Sequence, residues 1–372
     1  MSFREAYKLA TNSNISWYPR HMMTSMKQMQ AKLRTIDFII EVHDARIPFS
    51  GRNINFQNLL GIKPRILVFN KKDLVDKTCY EQIIKKVSDQ EKDVVKVLFT
   101  SANQIKDHSL LNILPIILDH IKISNRYNRM GADEYNIMII GVPNVGKSSL
   151  LNAFRNKYMK KSKASEEGPY AGVTKSVLNK IKVYPNPKVF VFDTPGIMAP
   201  HISSSEAAMR LALCATFKDS LIGEKNMCDY LLYWLNKRKL MNEYTHCGEL
   251  NLPLSEVTNA NKQSATLLHE KSHNLKFPDT ILTKENNEID MKIYGPYLNN
   301  KPTDNILDYL IRVAIVNQRF VKVRKVIYDG NSESINNNQH WEFKPDINTA
   351  ANLFLKTFRS GKMGKFILDD DI

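Results

Sequence analysis

A glycine-rich run between an apolar stretch and an amphipathic stretch carries the most specific chemistry in the sequence. Gly141, Gly146, Lys147 and Ser148 follow the apolar run Ile137–Ile140 with the spacing GxxxxGKS. Glycines at this spacing let a loop turn its N–H groups inward, and the N-terminus of the next helix adds a positive dipole. A lysine and a hydroxyl at the end of the loop bind phosphate oxygens and Mg²⁺. The run predicts a phosphate-binding loop that also includes Asn144, Val145 and Ser149.

Two further polar motifs follow predicted strands and have the groups that read a guanine base. Asn70-Lys71-Lys72-Asp73 follows the predicted strand Arg65–Phe69. The Asp73 carboxylate would accept from guanine N1–H and the exocyclic amine, whereas adenine would leave it unpaired at a cost of ~1–3 kcal/mol. We expect Asn70 on the N7 side of the base and Lys71 over its plane. Ser101 and Ala102, after the predicted strand Val94–Phe99, would offer a backbone N–H to guanine O6.

Besides the phosphate-binding loop and the two base-reading motifs, Asp193-Thr194-Pro195-Gly196 follows the apolar run Val189–Phe192. We call these four residues the third motif, because it is the third polar motif that follows a predicted strand. Asp193 would hold Mg²⁺ through water, and the Gly196 N–H would bind the γ-phosphate. Thr174 is the threonine expected to complete the Mg²⁺ shell together with Ser148 when the γ-phosphate is present. The predicted cofactors are therefore GTP or GDP and Mg²⁺, and Lys147, Thr174 and Gly196 are catalytic candidates.

The elements that must position these motifs are strands alternating with helices. Motifs at strand carboxyl ends predict a doubly wound, mostly parallel α/β sheet with its ligand at that edge. In the usual order of these motifs the phosphate loop comes first, but here both base-reading motifs precede it. The same sheet can be built by joining the old termini and opening a new break, since domain termini often lie close together. The sequence thus predicts a circularly permuted P-loop GTPase domain.

The predicted organisation has three parts. Residues 1–33 form an N-terminal segment and entry helix, residues 34–200 the permuted domain, and residues 201–372 a mainly helical C-terminal domain. The last part contains a polar, irregular insertion at about 242–303. The helical segments expected from periodicity are Met23–Leu33, 76–88, Leu110–Ile123 with a kink at Pro115, Glu206–Phe217, Met227–Leu240, Asp304–Val316 and Asn348–Phe358.

Charge narrows the class of partner. The 372-residue chain has 53 Lys and Arg against 38 Asp and Glu, a net charge of +15. Such a surplus indicates a polyanionic partner, either nucleic acid or an anionic membrane, or else a basic host compartment, and charge alone does not separate these. Two basic runs, Arg312–Lys325 and Lys356–Lys365, carry no acidic residue. No apolar run of ~18 residues predicts a transmembrane helix.

The sequence resembles the circularly permuted GTPases of the YlqF/RbgA type, and specifically their mitochondrial ribosome-assembly relatives. The matching motifs are Trp17-Tyr18-Pro19-Arg20-His21-Met22, Asp44-Ala45-Arg46-Ile47-Pro48, Arg210-Leu211-Ala212 with Lys218-Asp219-Ser220, and Phe358–Lys365. The resemblance implies a GTPase of late assembly of the mitochondrial large ribosomal subunit. It implies rRNA and ribosomal proteins as partners, a location in the mitochondrial matrix, and a monomer.

Four residues bear on catalysis. Ile197 stands where Ras-like enzymes have a water-orienting glutamine, so we expect slow hydrolysis by the protein alone and stimulation by the subunit. The resemblance points to His21 as a replacement, and the alternative is that His21 only packs the N-terminal segment. Arg20 replaces the glycine of the family motif, which makes a positive-φ turn there harder to adopt. Asn144 is also the candidate K⁺ ligand, the alternative being a turn-favouring asparagine.

The sequence therefore supports one function and leaves alternatives open. In the first, the GTP state gates docking of the C-terminal region on rRNA and the subunit. In the second, the chain is a GTP-regulated switch peripheral to the mitochondrial inner membrane, without a direct ribosomal role. In the third, it is a scaffold that binds GTP without hydrolysing it, which the complete set Lys147, Ser148, Thr174 and Asp193 argues against.

Overall fold

The computed structural model describes most of the chain outside the predicted insertion. The described residues are 3–7, 20–52, 56, 63–91, 93–104, 107–124, 129, 131–160, 180–198, 202, 204–238, 240, 280–282, 288–290, 297, 303–324 and 341–370. For residues 20, 21, 280–282, 288–290, 324 and 341 the backbone alone is described. Thr174 and the segment 17–19 of the N-terminal motif lie outside these ranges.

The chain divides into two compact units. The sheet unit comprises Lys8–Ile222 and Gly364–Ile372, and the helical unit comprises Met1–Tyr7 and Gly223–Met363. The division after residue 222 differs from the boundary expected at residue 200. The two helices that follow the third motif belong to the sheet unit, and the end of the chain returns to it.

A six-stranded sheet forms the centre of the sheet unit. Its strands are β1 Phe38–Asp44, β2 Arg65–Asn70, β3 Val94–Phe99, β4 Glu134–Ile140, β5 Lys180–Tyr184 and β6 Lys188–Phe192, in the order β3-β2-β1-β4-β6-β5. Neighbours are parallel except β5, which pairs antiparallel with β6 as an edge hairpin. This confirms the predicted doubly wound, mostly parallel sheet.

The strand order explains why the permuted chain keeps a single site. From β1 the chain moves to β2 and β3 on one side, then crosses to β4 and β6 on the other. The order therefore reverses between β1 and β4, and parallel sheets bind ligands at such a switch point, outside the strand carboxyl ends. The base-reading motifs end β2 and β3, and the phosphate-binding motifs end β4 and β6, on opposite sides of β1.

Helices flank this sheet. They are α1 Arg20–Lys32, α2 Tyr80–Gln90, α3 His108–Leu111, α4 Ile113–Ile123, α5 Lys147–Met159, α6 Ser205–Leu213 and α7 Asp219–Ile222. Helix α1 places Met22, Met26, Met29 and Leu33 on one face, as spacings of four, three and four residues require. Met29 is fully buried against Ile39 of β1. The apolar face of α1 thus packs this N-terminal helix onto the sheet.

Two predicted helices end differently from the periodicity. The kink expected at Pro115 is a break at Asn112, with Pro115 in the first turn of α4, where a missing N–H costs nothing. Helix α6 ends at Leu213 and not at Phe217, because Ala215 adopts a left-handed φ of 59° that no helix continues.

The helical unit is built from α8 Glu224–Lys237, α9 Ile306–Val316 and α10 Ile347–Arg359. Fully buried aromatic side chains fill its centre, and the rings of Tyr309 and Phe354 lie 4.8 Å apart. Arg4 joins the N-terminal residues to this unit through ion pairs with Asp229 at 2.9 Å and Asp304 at 3.0 Å.

Strands also occur in the helical unit. An antiparallel pair, β7 Thr280–Leu282 and β8 Glu288–Asp290, lies inside the insertion that was expected to be irregular. A second pair consists of β9 Phe320–Arg324 and β10 Trp341–Pro345. In the part of the chain that the structure describes, no helix is both long enough and apolar enough to cross a membrane.

Candidate nucleotide site

The loop after β4 has the geometry that its glycines predict. Gly141 and Gly146 have φ values of 149° and 98°. A Cβ at Gly141 would lie 2.2 Å from the Val42 carbonyl oxygen, and a Cβ at Gly146 would lie 2.2 Å from Asn70 Nδ2. Any side chain at either position would therefore collide with a neighbouring strand, at Val42 of β1 or at Asn70 at the end of β2. Helix α5 begins at Lys147, so its N-terminus opens directly onto this loop.

Lys147 is buried in the loop. Its Nζ donates to the carbonyl oxygens of Gly141 at 3.1 Å and Val142 at 2.8 Å. Burial lowers the pKa of Lys147 to about 8, and the carboxylate of Asp193 opposes that shift. Asp193 is itself 3% exposed. A buried ammonium group and a buried carboxylate thus influence one another at this edge, next in sequence to the half-buried Ser148, where they would balance phosphate and Mg²⁺ charges.

The third motif packs directly on the phosphate loop. A Cβ at Gly196 would lie 2.5 Å from both the nitrogen and Cα of Pro143, so glycine is required there. Thr194 Oγ1 donates to the Ile139 carbonyl oxygen at 2.6 Å and fixes the start of the motif on β4. The Ile197 side chain is fully buried in the core with Met138. It points away from the phosphate side and cannot orient a water there.

Asn70 joins the base-reading loop to the phosphate loop. Its Nδ2 donates to the Val145 carbonyl oxygen at 2.8 Å. Its Oδ1 accepts from the Ala102 N–H at 2.9 Å and from Thr100 Oγ1 at 3.3 Å. Asn70 was expected on the N7 side of the base, but in this arrangement its amide holds three loops together.

Asp73 and the Ser101-Ala102 pair lie at the same corner. Ser101 Oγ donates to Asp73 Oδ1 at 2.5 Å. The Ser101 N–H donates to Asp107 Oδ2 at 2.7 Å, while the Ala102 N–H is given to Asn70. The pair was expected to offer one backbone N–H to guanine O6, and here the N–H groups of both residues are used within the protein. Contact with O6 requires Ala102 to exchange Asn70 for the base.

Lys71 is held in a strained conformation. Its φ of 61° lies in the left-handed region, where a residue with a Cβ is uncommon. Its Nζ donates to Asp44 Oδ2 at 2.9 Å, so the aliphatic stem is stretched across the loop. Burial alone would raise the pKa of Asp44, but Arg46 and Lys71 outweigh it and hold that pKa well below its usual range.

Several of these positioning groups were not predicted. Asp44 and Arg46 belong to a motif noted above only for its resemblance, with no role assigned. Asp107 holds the Ser101 loop and Lys72, whose Nζ lies 2.6 Å from its Oδ1. Its one signal in the sequence is that of a helix cap, because it also accepts from the Ser109 N–H at the start of α3.

Asn144 faces a different partner from the one expected. It has a φ of 59°, and its Nδ2 donates to the Ala215 carbonyl oxygen at 2.7 Å. Ala215 lies in the turn after α6, so the segment that follows Gly196 touches the phosphate loop a second time. The amide nitrogen of Asn144 thus links the phosphate loop to the turn after α6.

The remaining predicted residues are placed only in part. His21 lies in α1, but the described residues do not include its side chain. Thr174 lies outside them altogether. The other predicted nucleotide and metal residues converge on the carboxyl edge of the sheet, on both sides of β1.

These residues fit a guanine nucleotide and Mg²⁺. The phosphate loop turns at two glycines with positive φ that pack too closely on Val42 and Asn70 to carry a Cβ, and a helix N-terminus opens onto it. Lys147 supplies the positive charge, and Ser148 and Asp193 supply oxygen donors of the kind that Mg²⁺ prefers. When bound, Mg²⁺ neutralises charge on the phosphates.

Comparison with known proteins gives a consistent set of similarities. The family model described as a 50S ribosome-binding GTPase matches residues 136–271. "Mitochondrial GTPase 1" of Aedes aegypti is 38% identical over 371 residues, which cover 100% of this chain and 98% of that protein. "Mitochondrial ribosome-associated GTPase 1" of Mus musculus is 38% identical over 371 residues, covering 100% and 95%. GNP-bound YlqF from T. maritima superposes with a TM-score of 0.45 at 18% identity, and the superposition covers 94% of this chain and 100% of that chain.

Proposed function

The chain belongs to the family of mitochondrial GTPases that includes these two relatives, and on that premise we propose that it binds and hydrolyses GTP in late assembly of the mitochondrial large ribosomal subunit. The observation that carries the nucleotide part is the meeting of base-reading and phosphate-binding motifs at one edge, joined by the Asn70–Val145 hydrogen bond. The ribosomal and mitochondrial parts rest on the names of the relatives and of the matching family. We place the protein in the matrix, as a monomer.

Each predicted site residue has a role in this proposal. Asp73 reads guanine, Lys147 moves from the loop carbonyls to the phosphates, and the Gly196 N–H faces the γ-phosphate. Ser148, Thr174 and Asp193 hold Mg²⁺, and Asn144 supplies an oxygen to K⁺. The remaining nucleotide contacts come from Lys71, Ser101, Ala102, Val145, Gly146 and Ser149.

The proposal includes slow hydrolysis that the subunit accelerates. Ile197 is buried in the core, so another group must orient the attacking water. We assign that task to His21 when the subunit is bound. His21→Ala should then lower the subunit-stimulated rate while leaving GTP affinity and the basal rate unchanged. A parental stimulated rate in this variant would reduce His21 to a packing residue.

Gating by the GTP state has a structural basis in the segment after Gly196. That segment touches the phosphate loop at Pro143 and, through Ala215, at Asn144. A change at the γ-phosphate would therefore act on α6 and its following turn. We propose that this movement controls docking of the C-terminal region on rRNA.

The basic end of α10 is the proposed RNA contact. Lys356, Lys362 and Lys365 are exposed, whereas Arg359 is half-buried and lies 3.8 Å from Met227 Sδ. Helix α10 ends at Arg359, and Gly361 just beyond it has a left-handed φ of 75°. Arg312, in the other basic run, is buried and donates to the Tyr297 carbonyl oxygen, so it is not a phosphate ligand.

Co-sedimentation separates the ribosomal function from the membrane alternative. The protein, with and without a GTP analogue, is spun with mitochondrial large subunits or with anionic liposomes. We expect GTP-dependent binding to subunits. Changing Lys356, Lys362 and Lys365 to Ala should weaken it and reduce its salt slope by roughly 0.7–0.9 per lost phosphate contact. Binding to liposomes alone would favour the peripheral switch on the inner membrane.

A further inference from the structure

The end of the chain lies across the loops that hold the base-reading residues. In the C-terminal strap, defined here as Phe366–Asp369, two alternate N–H groups bond to two different loops. The Phe366 N–H donates to the Leu74 carbonyl oxygen at 3.1 Å, and the Leu368 N–H donates to the Arg46 carbonyl oxygen at 2.8 Å. Because residues two apart face the same side of an extended chain, the strap bridges the loops after β1 and β2.

The strap is anchored by buried groups at its far end. Leu368 is fully buried, and Asp369 is 3% exposed. Asp369 Oδ2 accepts from the N–H groups of Phe49 at 2.8 Å and Ser50 at 3.0 Å. Its other oxygen accepts from Ser50 Oγ. A carboxylate that accepts several N–H and O–H bonds in a buried position fixes the turn after β1.

Ile367 adds an apolar contact to these hydrogen bonds. It packs against the apolar cluster that includes Leu67 and Phe69 of β2 and Ile83 of α2. On the other side, Arg210 of α6 pairs with Asp369 at 3.6 Å and also with Asp370. The strap is therefore held by the core, by backbone bonds and by a helix that follows the third motif.

Both ends of the base-reading loop depend on residues that the strap contacts. Leu74 directly follows Asp73, and its carbonyl is the acceptor for Phe366. Lys71 is held by Asp44, which also binds the N–H and guanidinium of Arg46, the residue whose carbonyl accepts from Leu368. Lys71 keeps its left-handed φ only while the surrounding contacts require it.

We propose that the C-terminal strap positions the guanine-reading loop, so that Leu368 and Asp369 raise both the affinity for guanine nucleotides and the discrimination in favour of guanine. This inference rests on the proposed function, in which Asp73 reads the base. Leu368 and Asp369 are positioning residues, because they would act on Asp73 and Lys71 through other groups. Leu368 acts through the backbone carbonyl of Arg46 and Asp369 through the turn at Phe49 and Ser50, while Phe366 holds the carbonyl of Leu74.

The effect should be specific to the base. The backbone bonds and the Asp369 carboxylate of the strap hold the loops after β1 and β2 at Arg46, Phe49, Ser50 and Leu74. A displaced Asp73 loses its hydrogen bonds to N1–H and the exocyclic amine, whereas bonds to the phosphates remain. Inosine diphosphate lacks that amine, so its binding depends less on Asp73. The ratio of GDP to IDP affinity therefore measures base reading independently of overall stability.

The experiment measures GDP and IDP dissociation constants by isothermal titration for the full-length protein and its Asp369→Asn and Leu368→Ala variants. We expect GDP affinity to fall about five- to tenfold, within the range of typical coupling between sites, and IDP affinity to fall less. Asp370→Asn is the matched control. It removes the same charge from the exposed neighbour, which pairs with Arg210, and should keep the parental ratio.

The outcomes distinguish three cases. A reduced GDP to IDP ratio in Asp369→Asn and Leu368→Ala, with the control unchanged, supports the strap as a positioning segment. Equal losses for both nucleotides, an unchanged ratio, or an equal fall in Asp370→Asn would overturn it. Asp73→Asn is measured in parallel. If that variant still prefers guanine, the base-reading assignment itself fails, which is a separate result from failure of the strap.

Discussion

The phosphate side and the base side of the site are built in different ways. The phosphate side is one contiguous loop whose shape follows from Gly141 and Gly146 and from the helix behind it. The base side is assembled from the loops after β1, β2 and β3 together with the end of the chain. Ser50 and Asp369, which meet there, are 319 residues apart in sequence.

This difference determines how each side should respond to change. In the contiguous loop, one side chain supplies the charge and two glycines supply the space, so a single substitution removes an indispensable part. In the assembled corner, Asp44, Arg46, Lys71 and Asp369 each hold part of the geometry. Removing one of them should weaken nucleotide binding by degrees. The following predictions test that contrast, from the largest expected effect to the smallest.

Lys147→Ala should have the largest effect. The variant loses the only cation described within the phosphate loop, while the sheet stays folded because the ammonium faces loop carbonyls and not the apolar core. We expect GTP hydrolysis to fall by about 10³-fold, comparable to the loss of a strong transition-state donor. Single-turnover hydrolysis is the measurement. The control is Lys157→Ala, an exposed lysine on the same helix. Parental hydrolysis in Lys147→Ala would remove the phosphate-loop assignment.

Asp73→Asn should come next, with an exchange of base preference. An amide presents a donor where the carboxylate presented an acceptor, so guanine loses two charge-assisted hydrogen bonds and xanthine gains a match. We expect GDP affinity to fall about 100-fold, as ~1.4 kcal/mol per lost bond requires, and XDP affinity to rise. Competition binding with the two nucleotides measures both. Asp76→Asn, an exposed acid three residues on, should retain guanine preference.

The sequence predicts the phosphate side of the site more completely than the base side. The phosphate loop, the third motif and the strand carrying each were predicted because their residues are neighbours in the chain. Asp73 was predicted from a four-residue motif. The use of Asn70 as a tie and of the Ala102 N–H as its donor was not predicted, because both depend on which strands become neighbours in the sheet.

The return of the chain to the sheet unit was missed for a related reason. Helical periodicity identified α9 and α10. Beyond α10, Phe366–Asp369 is too short to show a period that would indicate an element. Its backbone N–H groups and the Asp369 carboxylate find their partners in loops that are distant in sequence.

Asp44→Asn tests the assembled corner through pH. Asp44 has a pKa held below its usual range by Arg46 and Lys71, which overcome the opposing effect of burial. A depressed native pKa gives stability that is present above the unfolded value of about 4 and is lost as the pH falls towards the native value. The parent should therefore lose stability progressively below about pH 5.

In Asp44→Asn this contribution should be absent. We expect a loss of about 2 kcal/mol at pH 7, below the roughly 3–5 kcal/mol of a fully broken buried pair, because the amide oxygen still accepts a hydrogen bond. The difference between variant and parent should shrink from pH 5 to pH 3. Urea unfolding at several pH values measures it. A difference that stays constant over this range would show that the charge of Asp44 is not what holds Lys71.

The smallest effect should come from the identity of the monovalent cation. Asn144 gives its amide nitrogen to Ala215, and its amide oxygen is the group proposed to hold K⁺. If that oxygen and the phosphates hold K⁺, hydrolysis should be faster in K⁺ than in Na⁺, because Na⁺ is too small to span the same oxygens. We expect the hydrolysis rate in K⁺ to exceed that in Na⁺ about tenfold, or by ~1.4 kcal/mol in activation free energy.

Two variants test the role of the side chain. In Asn144→Ala the hydrolysis rates in K⁺ and Na⁺ should become equal, at fixed Mg²⁺. Asn144→Asp keeps an oxygen but loses the donor to Ala215, so a retained K⁺ preference there would assign the effect to the oxygen alone. Equal rates for the parent in both salts would leave Asn144 as the link between the phosphate loop and the turn after α6.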